Sequence, residues 1–394
     1  MTQYAAVSAS RLAPAPSTAN RWPEPARTDD AAARSRTTRV AAPGLSVLLR
    51  GLRWLLLPWY AGQVLTGRKV FSGNPILGSE RLNRRGLHLW RVRLAGRLAA
   101  WRRKRLAHLV SPEDRAAFAR DGFVEVPELL PPAAFEALAQ HLGTLVAEAR
   151  EMREGGAVTR RIPVTPALLR RVPELRPLLD SPRWRGLTRY VGAFDTEPVT
   201  YVQAILANAS GEEDPQTQLH MDTFHPTMKA WFFLHPVPDS EGPLTYVAGS
   251  HTLGRRRLAW QRARSVLACR GPNKGGAFRL SASALPQLGW APPRRFAVAG
   301  NTLVVADTSG FHARAASPRP SLRVEIYALS RPNPFLPVLR PPLDWFPVLA
   351  RRQVPLQYWL QDRLSRLGLM RPVWRKAGAI SPAAPVSRAF GDPG

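Results

Sequence analysis

Beyond residue 195 the chain changes character. Val199 to Leu206, Lys229 to Leu234, Leu244 to Val247, Phe296 to Val298, Thr302 to Val305 and Leu322 to Leu329 are short apolar or β-branched runs, bounded by Gly, Pro or Asp. Runs of this length and punctuation read as strands, and several in series close best as antiparallel sheets. Upstream the period is helical. Ser111-Pro112-Glu113-Asp114 reads as an N-cap with a first-turn proline, and Asp121-Gly122 ends that helix before an extended Phe123-Val124-Glu125-Val126. A second helix, from about Pro132 to Glu151, sets Phe135, Leu138, Leu142, Leu145 and Val146 on one core face. The expectation is mainly β with flanking α: an antiparallel double-sheet barrel with helices in front of it.

Around that core the composition divides the chain into four stretches. Residues 1–43 are rich in Ala, Pro, Ser, Thr and Arg without periodicity and are expected to be disordered, because they lack the apolar surface to offset ordering entropy. Residues 44–110 form a basic amphipathic helical region, in which Leu87, Trp90, Leu94, Leu98 and Trp101 recur at three-to-four spacing among many arginines. The core domain is expected over 111–330, and 331–394 is a basic, aromatic, proline-interrupted extension. The apolar stretch from Gly44 to Leu65 is cut by Arg50, Arg53 and Pro58. It falls short of the roughly 20 apolar residues of a spanning helix, so it is expected to lie on a membrane at most.

Charge is the unusual part of the composition. Fifty-six Lys and Arg face 28 Asp and Glu, a net +28, and only five of the cations are lysines. That arginine bias has two readings, a GC-rich coding sequence or an anionic partner. Eight of the twelve tryptophans lie outside residues 111–330. Tryptophan beside arginine on apolar helices suits a membrane interface, where the ring sits at headgroup depth and the cation meets anionic lipid. The rival reading is that these helices pack on the barrel. No recognition motif accompanies the charge, so nucleic acid is set aside as a partner. A single Cys269 excludes a disulfide framework and a cysteine-built zinc site, which fits a reducing compartment.

Chemistry enters at His220-Met221-Asp222. On extended backbone, residues two apart point to the same face, so an imidazole and a carboxylate can grip one metal ion. With a distant third ligand they make a two-histidine, one-carboxylate facial triad that leaves iron sites open. After the tripeptide come an aromatic run, Lys229-Ala230-Trp231-Phe232-Phe233-Leu234, a polar turn, and Glu241-Gly242-Pro243-Leu244 continuing to Gly249-Ser250-His251. Further on, Gly300-Asn301-Thr302-Leu303-Val304-Val305 precedes Phe311-His312, and Arg323 stands eleven residues after that histidine.

Placed together over residues 111–330, these segments resemble the phytanoyl-CoA dioxygenase family. The resemblance implies a double-stranded β-helix (jelly roll, cupin-like) core with basic helical extensions at both ends. It implies Fe(II) on His220, Asp222 and His312, with 2-oxoglutarate and O2 as co-substrates. Arg323 is the implied clamp for the distal carboxylate of 2-oxoglutarate, a task that suits a planar guanidinium fork; Arg314 and Arg319 are its nearest rivals. By the same resemblance Gln203 and Trp231 line the co-substrate pocket, although Trp231 reads equally as barrel core. The family's pocket lysine has no assigned position in this sequence. Asp222 keeps the carboxylate that related halogenases lose, which points to hydroxylation. The expected substrate is a small or lipid-linked molecule, and the expected location is cytoplasmic or peripheral on the inner face of a membrane. The rival function is a catalytically silent jelly-roll module for membrane or partner binding.

Overall fold

A computed structural model describes residues 55–207, 214–271, 275 and 278–387. The stretch 1–43, expected to be disordered, and residues 44–54 of the following region lie outside the described residues. The helices in chain order are α1 (Leu57–Val64), α2 (Glu80–Arg84), α3 (Leu87–Leu106), α4 (Pro112–Asp121), α5 (Pro132–Thr144), α6 (Pro166–Arg171), α7 (Leu175–Leu179), α8 (Pro182–Gly192), α9 (Arg255–Arg270), α10 (Leu285–Leu288) and α11 (Pro347–Arg366). The strands are β1 (Phe123–Val126), β2 (Ala147–Glu154), β3 (Ala157–Pro163), β4 (Val199–Ala207), β5 (Met228–Phe233), β6 (Leu244–Tyr246), β7 (Arg294–Arg295), β8 (Thr302–Asp307), β9 (His312–Arg314), β10 (Ser321–Ser330) and β11 (Arg375–Ile380).

Eight strands form one antiparallel sheet in the order β1-β8-β5-β10-β4-β3-β2-β11, and β7-β6-β9 form a second. The expected double-sheet core is therefore present, but unequally divided. Alternation along the strands separates two environments. On β5 and β10, Met228, Ala230, Phe232, Val324, Ile326 and Ala328 face the helical layer and join Leu138, Leu142, Trp184 and Leu187 in the larger core cluster. The opposite faces carry Trp231, Phe233 and Tyr327, which pack with Leu244 and Tyr246 of the small sheet. The site lies between the sheets.

Two sequence expectations change. The second helix stops at Thr144, and the residues read as its last turn enter β2. Ala147-Glu148-Ala149-Arg150-Glu151 has helix-forming composition, yet alternate burial of Ala147 and Ala149 and pairing with β3 and β11 make it a strand, so tertiary contacts override propensity. Val146, placed on the core face by that helical reading, is half exposed. In α3 the buried side is not the Leu and Trp stripe but Leu89, Arg91, Val92, Ala95, Ala99 and Arg102. Arg91 donates to the carbonyls of Val64, Thr66 and Arg68, and Arg102 to those of Ala193, Leu336 and Pro334. A guanidinium satisfies several irregular backbone acceptors at once, and it is buried for that reason. This face of α3 packs against α8 and α9.

The C-terminal stretch is also tied to the core. β11 pairs with β2, and Arg160, buried beside Glu151 at 2.6 Å, donates to the carbonyls of Ser381, Pro382, Ala384 and Pro385. Among the described residues no helix is long and apolar enough to cross a membrane.

Candidate metal centre

His220 and His312 face each other as an antiparallel bridge. His220 N–H donates to His312 O at 2.9 Å and His312 N–H donates to His220 O at 3.0 Å. Residues exchanging both backbone bonds carry their side chains on one side of the ladder. Their rings are 4.6 Å apart between centroids. Asp222, two residues on, donates its N–H to Thr308 O at 2.9 Å and turns its carboxylate to the same place. Ligand atoms of His220, Asp222 and His312 lie within 4.8 Å of one another, the one such grouping among the described residues.

The protonation pattern suits a cation. Each histidine places Nδ1 against a carbonyl two residues back, Gln218 O at 2.8 Å for His220 and Gly310 O at 3.1 Å for His312. A carbonyl only accepts, so Nδ1 carries the hydrogen and Nε2 keeps its lone pair. Burial holds both imidazoles below the usual histidine range, His312 down to about 3, so both are neutral near pH 7. Burial alone would raise the Asp222 carboxyl, but the cations Lys229 and Arg331 hold it well below the usual range. His312 Nε2 is buried without a hydrogen-bond partner and lies 3.8 Å from Asp222 Oδ1. An orphaned lone pair facing an ionised carboxylate is the arrangement a divalent cation would complete, and this donor set fits iron.

The stretch from Gly242 to Ser250 builds the wall behind these ligands. Tyr246 pairs with His312 across β6 and β9, and its hydroxyl donates to Asp307 O at 2.7 Å. Ser250 Oγ accepts from Phe311 N–H at 2.8 Å. Gly310 passes so close to the hydroxyl end of Tyr246 that a Cβ there would collide with it. Gly242 O accepts from Arg323 Nη1 at 2.8 Å.

A cavity of about 200 Å³ opens from the triad, and Gln203, Trp231 and Arg323 all line it with the three ligands. Arg323 is buried on β10, with Nε 2.9 Å from Glu325 Oε2. Glu325 is fully buried, and its Oε1 accepts from Gln203 Nε2 at 2.6 Å. Gln203 Oε1 accepts in turn from Arg161 Nε at 2.7 Å. Of the rivals to Arg323, Arg319 is exposed and Arg314, which also lines the cavity, is ion-paired with Asp214.

Several side chains at this site escaped the sequence reading. Lys229 Nζ is 2.7 Å from Asp222 Oδ2 and lines the cavity. Its signal was present, because Lys229 stands two residues before Trp231 on one strand and so shares its face. Arg331 Nη2 approaches the same oxygen at 3.4 Å, and Lys69 Nζ donates to the Asp222 carbonyl at 2.9 Å. No sequence pattern joins Lys69 to a residue 153 positions away.

No curated protein sequence matches the chain. Solved structures to which the chain is similar include the epimerase SnoN in complex with Fe3+, alpha ketoglutarate and nogalamycin RO. It is 21% identical over 57% of this chain and 83% of that one, with a TM-score of 0.36. The carbocyclase SnoK from nogalamycin biosynthesis is 20% identical over 56% and 83%, TM-score 0.34. HygX from Streptomyces hygroscopicus, with nickel and 2-oxoglutarate bound, is 18% identical over 56% and 86%, TM-score 0.36. Residues 118–270, which include His220 and Asp222 but stop short of His312, match the family model described as phytanoyl-CoA dioxygenase (PhyH). That match covers 153 of the chain's 394 residues.

Proposed function

We propose that the protein is an Fe(II)- and 2-oxoglutarate-dependent dioxygenase that hydroxylates a small or lipid-linked substrate carrying an anionic group. The observation that carries this reading is the orphaned His312 Nε2 facing Asp222 Oδ1 in a cavity that also holds Arg323. His220 Nε2, His312 Nε2 and Asp222 Oδ1 would hold the iron. With 2-oxoglutarate and O2, such a centre supplies an oxidant able to take hydrogen from carbon, leaving succinate and carbon dioxide. Arg323 would bind the far carboxylate of 2-oxoglutarate, pinned for that task by Gly242 and Glu325, while Gln203 and Trp231 complete the pocket. Asp222 supports hydroxylation over halogenation, because its carboxylate takes the place a halide would need.

Charge supports the substrate class. Lys69, Lys229 and Arg331 converge on Asp222 alone, and Arg161 meets the neutral amide of Gln203. Iron(II) and a doubly charged 2-oxoglutarate cancel, which leaves Lys69, Lys229 and Arg331 against the single Asp222 carboxylate, so the loaded site keeps positive charge for an anionic substrate. Its setting would be a reducing compartment, at the inner face of a membrane.

The silent-module reading draws its support from the ion pairs that Lys229 and Glu325 make with Asp222 and Arg323. One assay separates the two: anaerobically purified protein, given Fe(II), 2-oxoglutarate and then air, should release succinate, and Asp222→Ala should not. Folded, iron-loaded wild type that forms no succinate would favour the silent module.

A further inference from the structure

α11 crosses the barrel outside the family match, and its two sides differ sharply. Its inner line fixes it to the core. Val354 and Tyr358 pack in the cluster containing Trp231 and Tyr327, which line the cavity, and Asp362 Oδ2 is 2.8 Å from Arg150 Nη2 and 3.0 Å from Lys376 Nζ. Its outer line is Leu349, Leu356, Leu360 and Leu367, at spacings of seven, four and seven that stack on one side of a helix. These leucines are 44%, 48%, 50% and 70% exposed, and Trp359 beside them is 54% exposed. The patch continues through Trp345 and Phe346 before the helix and Leu369 and Val373 after it, all exposed. Contiguous apolar surface of this kind marks an interaction site.

Charge selects the occupant. Between residues 345 and 373 the chain carries Arg351, Arg352, Arg363, Arg366 and Arg371, all exposed. The one acid in that interval, Asp362, is already held by Arg150 and Lys376 on the inner side. We propose that the outer face of α11 docks on an anionic lipid bilayer, with the leucine stripe below the headgroups and the arginines among the phosphates. Arginine stems extend past an apolar stripe to bring their charge to the lipid phosphates, and tryptophan rests at headgroup depth. A second copy of this chain is a poor occupant, because two arginine-lined faces would meet inside a pair already carrying +28 on each chain. This face stands one helix away from Trp231 and Tyr327, so docking would bring the cavity to the membrane surface. The inference adds a surface and a partner to the membrane setting proposed above and does not depend on the iron chemistry.

The test is co-sedimentation of the full chain with phosphatidylcholine vesicles, with and without phosphatidylglycerol. Wild type should pellet with the anionic vesicles at least about tenfold better than with the neutral ones. Leu356→Ser/Leu360→Ser and Arg352→Gln/Arg363→Gln should each remain in the supernatant while keeping the wild-type circular dichroism spectrum and melting curve. Asp222→Ala should pellet like wild type, which separates this proposal from the oxygenase reading. Wild type that ignores anionic vesicles, or leucine-stripe variants that pellet as well as wild type, would overturn it. A wild-type dimer in sedimentation velocity that the stripe substitution converts to monomer would also overturn it, assigning the face to a second copy.

Discussion

Lys229 Nζ lies 2.7 Å from Asp222 Oδ2, on the side of the carboxylate away from His312. The lysine thereby fixes which oxygen faces the histidines. It also keeps Asp222 ionised although burial opposes the charge. Groups that orient a ligand from behind are typically worth about 10- to 100-fold in metal affinity. Lys229→Met should therefore weaken Fe(II) or Co(II) binding about tenfold, and Asp222→Ala should abolish it. Equilibrium dialysis under nitrogen measures both; unchanged affinity in Lys229→Met would remove this positioning role.

Arg323 is held at two points, by Gly242 O and by Glu325, before any co-substrate arrives. Arg323→Ala should raise the KM for 2-oxoglutarate about 100-fold, the scale of a lost charged bidentate contact. Arg323→Lys should recover little of it, because an ammonium cannot reproduce the fork. Uncoupled succinate formation against 2-oxoglutarate concentration is the readout.

Acid should destabilise this fold early. Burial holds His88 down to about 3 and His225 and His251 down to about 4. The unfolded chain takes up these protons near the ordinary histidine range, so below it the unfolded state binds more protons and stability falls as pH falls. Between about pH 7.5 and about pH 5 the loss is about 2 kcal/mol for each fully protected histidine. Asp222 and Asp307, whose carboxyls are held low, extend the loss to still lower pH. Urea unfolding at the two pH values measures it, and equal midpoints would contradict the assignment.

Arg102 donates to three backbone carbonyls from near the C-terminal end of α3. Removing it leaves Ala193, Leu336 and Pro334 without that partner. Arg102→Ala should cost about 3 kcal/mol, whereas the exposed neighbour Arg105→Ala should stay within about 0.5 kcal/mol. Denaturant midpoints of the two variants decide it.

How far the sequence could be read followed from how local each signal is. His220, Asp222 and His312 stand in segments whose extended conformation and flanking strands are written nearby, and the structure brings them together with Arg323, Gln203 and Trp231. The strand β2 was hidden because its alanines and glutamates favour a helix when considered alone, and only pairing with β3 and β11 makes it extended. The packed face of α3 was hidden for a different reason. Hydropathy counts Arg91 and Arg102 as surface, but here their guanidiniums satisfy backbone acceptors supplied by distant loops. Lys69 meets Asp222 from 153 positions away in the sequence and leaves no periodic trace.

The triad and Arg323 should act as one working pocket. The direct measurement is an anaerobic titration of the protein with Fe(II) and 2-oxoglutarate, following the weak visible absorption of a keto-acid chelate. Wild type should show a band that is absent in His312→Ala and needs far more 2-oxoglutarate in Arg323→Ala. No band in folded, iron-loaded wild type, or an undiminished band in His312→Ala, would contradict it.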